Sequence, residues 1–147
     1  MSRNKVNQIY ESVKKINQAY EIWSTKHGLT LYEMQIYYVI IESKKQSITQ
    51  KELCIQLDAP KTSINSIIKR QLKTGRIEMA VNPNNKREKT IVLTEEGKKF
   101  AEELIYPLFK YEEDAVSKIK NEELETAISV QTKFANILLE KAGQKNE

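Results

Sequence analysis

Soft metal ligands, phosphate-binding glycine loops and long apolar runs are all scarce or missing in this chain. Its 147 residues include one cysteine, Cys54, and one histidine, His27. A single cysteine cannot close an internal disulfide, which fits a reducing compartment. One residue of each kind also leaves too few ligands for an ordinary zinc site. The four glycines are scattered at 28, 75, 97 and 143, so no Gly-rich loop cradles a phosphate. No apolar run nears the roughly 20 residues that a bilayer core requires. The polar start, Met1 to Lys5, does not read as a secretory signal. These absences predict a soluble, cytoplasmic protein with no cofactor and no membrane partner. They also argue against an enzyme: His27 and Cys54 fall on different predicted helices, and no base or nucleophile stands beside either.

What the chain has is charge, unevenly placed. Lysine and arginine total 24 against 20 aspartates and glutamates, a net of +4. Between residues 60 and 90, eight basic residues face only Glu78 and Glu88, a local excess of six that leaves the remainder at −2. A polyanion is the simplest physical partner for such a segment. The same stretch carries a structural pattern. Ile64, Ile67, Ile68 and Leu72 fall at threes and fours and line one face of a helix. Thr62, Ser66, Lys69 and Lys73 lie opposite, flanked by Ser63, Asn65 and Arg70. Small hydrogen-bonding groups mixed with cations are what a helix needs to touch base edges and phosphates in a major groove. Gly75 fits the helix stop. Two strand-like runs follow, Ile77–Val81 and Thr90–Leu93, around the polar turn Asn82–Lys89.

Along the chain, Val6, Ile9, Tyr10, Val13, Ile16, Tyr20 and Trp23 predict a long amphipathic helix to about Lys26, ended by His27 and Gly28. So well-defined a stripe calls for a large partner, such as a second subunit. Thr30 and Glu33 have the spacing of a capping box, which opens a nearly all-apolar, buried helix through Ile41. Thr49 and Glu52 form a second box ahead of a short helix that stops near Asp58. Pro60 then opens the reader helix from its first turn. Two short helices joined by a tight turn make a helix-turn-helix. Thr94 caps a helix with Phe100, Ala101, Leu104, Ile105, Leu108 and Phe109, which Pro107 is expected to kink or interrupt before the acidic run at 112–114. A last helix from about Asn121 is expected to bury Leu124, Ala127, Ile128, Phe134, Ile137 and Leu138, with a frayed tail from Gln144 to Glu147.

In this order, the stretches Leu29–Gln35, Thr49–Leu53, Gln71–Gly75 and Leu93–Gly97 resemble the MarR family of winged-helix transcriptional regulators. Each is weak alone; their order and spacing together cover nearly the whole chain. The resemblance implies a mainly α fold with a small β-hairpin wing. Residues 30–94 would form the winged helix-turn-helix lobe, and 1–28 and 95–147 the dimerisation helices of a single domain. It further implies a homodimer on a pseudo-palindromic double-stranded DNA operator, acting as a repressor. The wing departs from the family pattern. Asn85 stands where an aspartate is usual, and Met79 lies near a position that often holds arginine, so both members of an ion pair that would aim Arg87 are absent. Ser66 likewise occupies a frequent arginine position of the reader helix.

The DNA-contact expectation therefore falls on Lys61, Thr62, Ser63, Asn65, Ser66, Lys69, Arg70 and Lys73 of the reader helix. The wing adds Asn85, Lys86, Arg87 and Lys89, and the supporting helix Gln50 and Lys51. Asn65 could pair with an adenine edge and Lys69 reach guanine or phosphate. The bland alternative is a solvated basic surface, or a wing that docks an acidic protein in an adaptor role. Cys54 reads better as a buried structural thiol than as a redox sensor. Tyr20, Trp23, Met34, Tyr37 and Tyr38 (with Tyr32) read first as aromatic core. By the resemblance, they could instead line a pocket for a small aromatic or phenolic effector.

Overall fold

The computed structural model describes residues 2–144, and the expected fraying of 145–147 lies outside them. The elements in order are α1 (Ser2–Lys26), α2 (Leu31–Glu42), β1 (Ser47–Thr49), α3 (Gln50–Leu57), α4 (Lys61–Lys73), β2 (Ile77–Asn82), β3 (Asn85–Leu93), α5 (Glu95–Ser117) and α6 (Asn121–Gly143). Helices dominate, and the three strands form one antiparallel sheet in the order β1-β3-β2. The chain divides into two compact units, Met1–Tyr106 and Pro107–Glu147.

Both predicted capping boxes form. Thr30 Oγ1 accepts from the Glu33 N–H at 3.3 Å, and Glu33 Oε2 accepts from the Thr30 N–H at 3.2 Å. Thr49 and Glu52 repeat the exchange at 3.1 and 2.9 Å. The Thr49 N–H and hydroxyl, both donating to the Glu52 carboxylate, hold its pKa below the usual glutamate value. Each box satisfies donors that a helix start would otherwise leave open. At the helix ends, Gly28 and Gly75 take positive φ, as expected, and Asp58 does the same at the end of α3.

The core of the first unit is built on α2, where Met34, Ile36, Tyr37, Val39 and Ile40 are buried. Leu53 of α3, Ile64, Ile67 and Ile68 of α4, Ile77 and Ile91 of the sheet, and Ala101, Leu104 and Ile105 of α5 close around it. Burying one such aliphatic side chain is worth about 1.5–3 kcal/mol. On α4 the fourth buried position is Gln71, while the apolar Leu72 turns half outward. The helical period runs through 64, 67, 68 and 71, and Gln71 is tolerated inside because the Tyr37 hydroxyl donates to its Oε1 at 2.6 Å.

Several local expectations are revised. Pro60 sits at the N-cap, one residue before the helix, where its missing N–H costs nothing. The wing strands reach further than their apolar runs: β2 extends to Asn82, β3 starts at Asn85, and only Pro83 and Asn84 turn between them. The register slips there, Val81 facing Lys89 while Asn82 faces Asn85. Backbone pairing carries polar residues into a ladder whatever their hydropathy. The three-residue β1, which pairs Ile48 with Ile91 on β3, left no period to read. Pro107 does not interrupt α5, since one missing N–H removes a single helical bond. The acidic residues 112–114 are helical as a result. The largest departure is α6, none of whose residues is buried: Leu124 and Phe134 are half-buried, and Ile128, Ile137 and Leu138 are exposed.

A clamp joins the wing to α5. A Cβ added to Gly97 would lie 1.6 Å from the Arg76 carbonyl oxygen, so only glycine lets the start of α5 come this close. Thr94 completes it: its hydroxyl donates to Gly75 O at 2.6 Å and accepts from the Gly97 N–H at 3.0 Å. The Thr94 N–H meets Arg76 O at 3.0 Å. The foot of the wing is thus tied to α5.

Candidate nucleic-acid interface

The helix-turn-helix consists of α3 and α4, joined through Asp58, Ala59 and Pro60. Asp58 adopts the left-handed region at φ 46°, and its N–H reaches back to Cys54 O and Ile55 O, which stops α3 abruptly. α4 begins with no side-chain cap and no acidic residue in its first turn. Its leading N–H groups therefore stay open to an external acceptor, and the helix dipole favours an anionic one. With Ile64, Ile67 and Ile68 turned inward, Lys61, Thr62, Ser63, Ser66, Lys69 and Lys73 are exposed.

Between α3, α4 and the wing lies an open groove of about 880 Å³. Thr49, Gln50, Lys51 and Cys54 line it from the supporting helix, Lys61 and Asn65 from α4, and Asn85, Arg87, Glu88 and Lys89 from β3. Four cations meet one acid there, and that acid is engaged: Asn82 Nδ2 donates to Glu88 Oε2 at 3.0 Å. Gln50 Nε2 donates to Asn65 Oδ1 across the two helices. Of the expected DNA contacts, Gln50, Lys51, Lys61, Asn65, Asn85, Arg87 and Lys89 thus converge on one concavity. Thr62, Ser63, Ser66, Lys69 and Lys73 lie on exposed α4 outside its lining, and Lys86 on the exposed wing. The Ser66 hydroxyl donates back to Thr62 O at 3.1 Å.

The wing keeps its shape without the usual acid. Asn85 Oδ1 accepts from the Arg87 N–H at 3.2 Å, and Asn82 Oδ1 accepts from the Asn84 N–H at 2.9 Å. An amide oxygen closes such an Asx turn as a carboxylate would. The Arg87 backbone is therefore held although no carboxylate stands at position 85.

Arg70 is placed differently from its neighbours. Its Nε donates to Glu33 Oε1 at 3.2 Å, so its head is tied to α2. Sequence spacing gave no sign of this pair, which joins residues 37 positions apart.

Among the aromatic residues, Met34 and Tyr37 are fully buried, whereas Tyr20, Trp23 and Tyr38 are half-buried. The Trp23 indole donates to Leu104 O at 3.1 Å. Tyr37 meets Phe100 edge-on at 5.2 Å, and the Arg76 guanidinium lies 3.6 Å over the Phe100 ring. Burial raises the Tyr37 pKa, opposed by the Arg76 charge. Cys54 is half-buried at the groove rather than sealed in the core, which now sets it beside Lys51 and Lys61.

No family model matches the chain. The uncharacterized HTH-type transcriptional regulator YwoH of Bacillus subtilis (strain 168) is 26% identical over 125 residues, covering 85% of this chain and 89% of YwoH. The crystal structure of AbsC, a MarR family transcriptional regulator from Streptomyces coelicolor, superposes with a TM-score of 0.78 at 17% identity, over 97% of this chain and 95% of AbsC. The S. aureus MepR–DNA complex superposes with a TM-score of 0.72 at 18% identity, over 90% of this chain and 96% of that one.

Proposed function

We propose, from the winged-helix fold that the chain shares with MarR family regulators, that it is a cytoplasmic transcriptional regulator of the MarR type and not an enzyme, binding a pseudo-palindromic double-stranded DNA operator as a homodimer. The observation that carries the reading is the basic groove where α3, α4 and the wing meet. Its cations come from three separate elements that the fold brings to one side of the first unit. α4 would enter a major groove and read base edges through Ser63, Asn65, Ser66 and Lys69. Arg87, Lys86 and Lys89 of the wing would follow the flanking backbone or minor groove, with Gln50 and Lys51 on phosphate. A curated relative that is an HTH-type regulator and a DNA-bound structure of the same fold support this direction.

Dimerisation is supported by the apolar residues that the single chain leaves uncovered. Tyr10, Val13 and Ile16 of α1 are exposed, as are Ile128, Ile137 and Leu138 of α6. A two-fold dimer would present two reader helices to two half-sites. Repression would follow from occupying a promoter. The effector step rests on the resemblance: a small aromatic or phenolic ligand among Tyr20, Trp23 and Tyr38 would favour a dimer geometry that no longer matches the operator.

Two measurements on the purified chain test the proposal. Sedimentation should give a mass of two chains. Affinity for a random-sequence duplex should fall steeply with log salt, as counterion release requires. A monomer with no salt-dependent affinity for duplex overturns the reading in favour of a protein-docking role for the basic surface.

A further inference from the structure

Two polar rungs cross the seam between α2 and α4, both near the C-terminal end of α4. Glu33 and Tyr37 are one turn apart on α2; Arg70 and Gln71 are adjacent on α4. Arg70 Nε donates to Glu33 Oε1 at 3.2 Å, and the Tyr37 hydroxyl donates to Gln71 Oε1 at 2.6 Å. Glu33 keeps only 12% of its side chain exposed and is fully occupied, because its other oxygen closes the capping box with Thr30. The Arg70 side chain remains 55% exposed, so this is an ion pair at the edge of the core and not within it.

We infer that Glu33 is a positioning residue for the reader helix, and that Arg70 serves as a strut to α2 and not as a DNA contact. The inference rests on the DNA-binding reading and adds to it what sets the angle of α4. Contacts among Ile64, Ile67 and Ile68 are non-directional and permit small rotations and slides at little cost. Hydrogen bonds tolerate only a few tenths of an ångström and a limited angle. The two rungs therefore help to select one pose of α4 on α2, alongside the Gln50–Asn65 bond that ties it to α3. They grip the helix about 10 Å from Ser63, at 1.5 Å rise per residue. Over that lever, a tilt of about 10° moves the reading end by roughly 2 Å, enough to break base-edge hydrogen bonds. Long, flexible lysines on phosphate absorb the same shift. The struts thus govern discrimination between sequences more than total affinity.

The test compares the full-length protein with Arg70→Ala, Glu33→Gln and the double variant, on a duplex selected by the unaltered protein and on a random duplex, across a salt series. Glutamine still serves a capping box, so α2 keeps its start. Thermal melts check folding, and the surface position of Arg70 keeps that variant informative should Glu33→Gln unfold. The expected result is a roughly ten-fold loss in the ratio of selected to random affinity for each single variant. The double variant should lose no more than either single one, the mark of coupled partners. The salt slope on random duplex should stay unchanged. Two results overturn the inference: an Arg70→Ala slope reduced by about one, which marks a phosphate contact, or Glu33→Gln discriminating as well as the unaltered chain. If the unaltered protein does not discriminate at all, the DNA-binding reading falls and this inference with it.

Discussion

Two helices of this protein, α4 and α6, carry the same kind of apolar stripe at helical spacing and differ in what covers it. α4 buries four positions and lends Lys61 and Asn65 to a basic groove. α6 is longer, at 23 residues against 13, and buries none. The difference is where the partner of the stripe comes from. For α4 it is α2, α3 and β2, supplied by the same chain, and the stripe is consumed in folding. The described chain leaves Ile128, Ile137 and Leu138 of α6 exposed, the kind of stripe that the proposed dimer would use. Apolar periodicity predicts that a helix will be covered; it does not say by which molecule.

The contrast can be broken by substitution. The largest effect is expected where the first unit is tightest. Gly97→Ala would drive a Cβ into the Arg76 carbonyl and should cost about 3–5 kcal/mol in a denaturant titration. Next, Ile64→Ala in the core of α4 should cost about 2–5 kcal/mol. The exposed Ile128→Ala of α6 should change chain stability by about 0.5 kcal/mol or less under conditions that keep the chain monomeric. A loss at Ile128 equal to that at Ile64 in such a monomer would erase the distinction.

Two polar substitutions test it further. Tyr37→Phe leaves the buried Gln71 amide without its donor and should cost about 1–3 kcal/mol. The folded-state pKa of Tyr37 is raised, so its contribution is complete below the unfolded tyrosine value and is lost as pH rises above it. The alkaline limb of a stability–pH curve should therefore flatten in Tyr37→Phe. The smallest change is expected at Glu52, exposed in its capping box. Its folded pKa is lowered, so its contribution is present above the ordinary glutamate value and fades as pH falls through the folded one. Glu52→Gln should reduce the acid-side slope slightly, with the melt at neutral pH almost unchanged.

Much of the fold was legible because local chemistry and burial agreed. Thr30 with Glu33, Thr49 with Glu52, and Gly28 and Gly75 marked helix boundaries through rules that act within a few residues. What escaped was non-local. β1 exists only because Ile48 meets Ile91, 43 positions away. Gln71 is inside because Tyr37 needs an acceptor, and Arg70 is tied because Glu33 has an oxygen to spare. At the candidate site, residue type and charge pointed to Gln50, Lys51, Lys61, Asn65, Asn85, Arg87 and Lys89 of the groove lining, with DNA contact itself a proposal. They could not separate Arg70 from Lys69 beside it, since both are cations on one helix and only the tertiary partner differs.

If the chain is a dimeric reader of a symmetric site, selection of bound duplexes from a random pool by the purified protein should enrich a pseudo-palindrome whose half-sites lie about one helical turn apart, roughly 10–10.5 base pairs centre to centre. Enrichment of no sequence, or of a single half-site without symmetry, would contradict it.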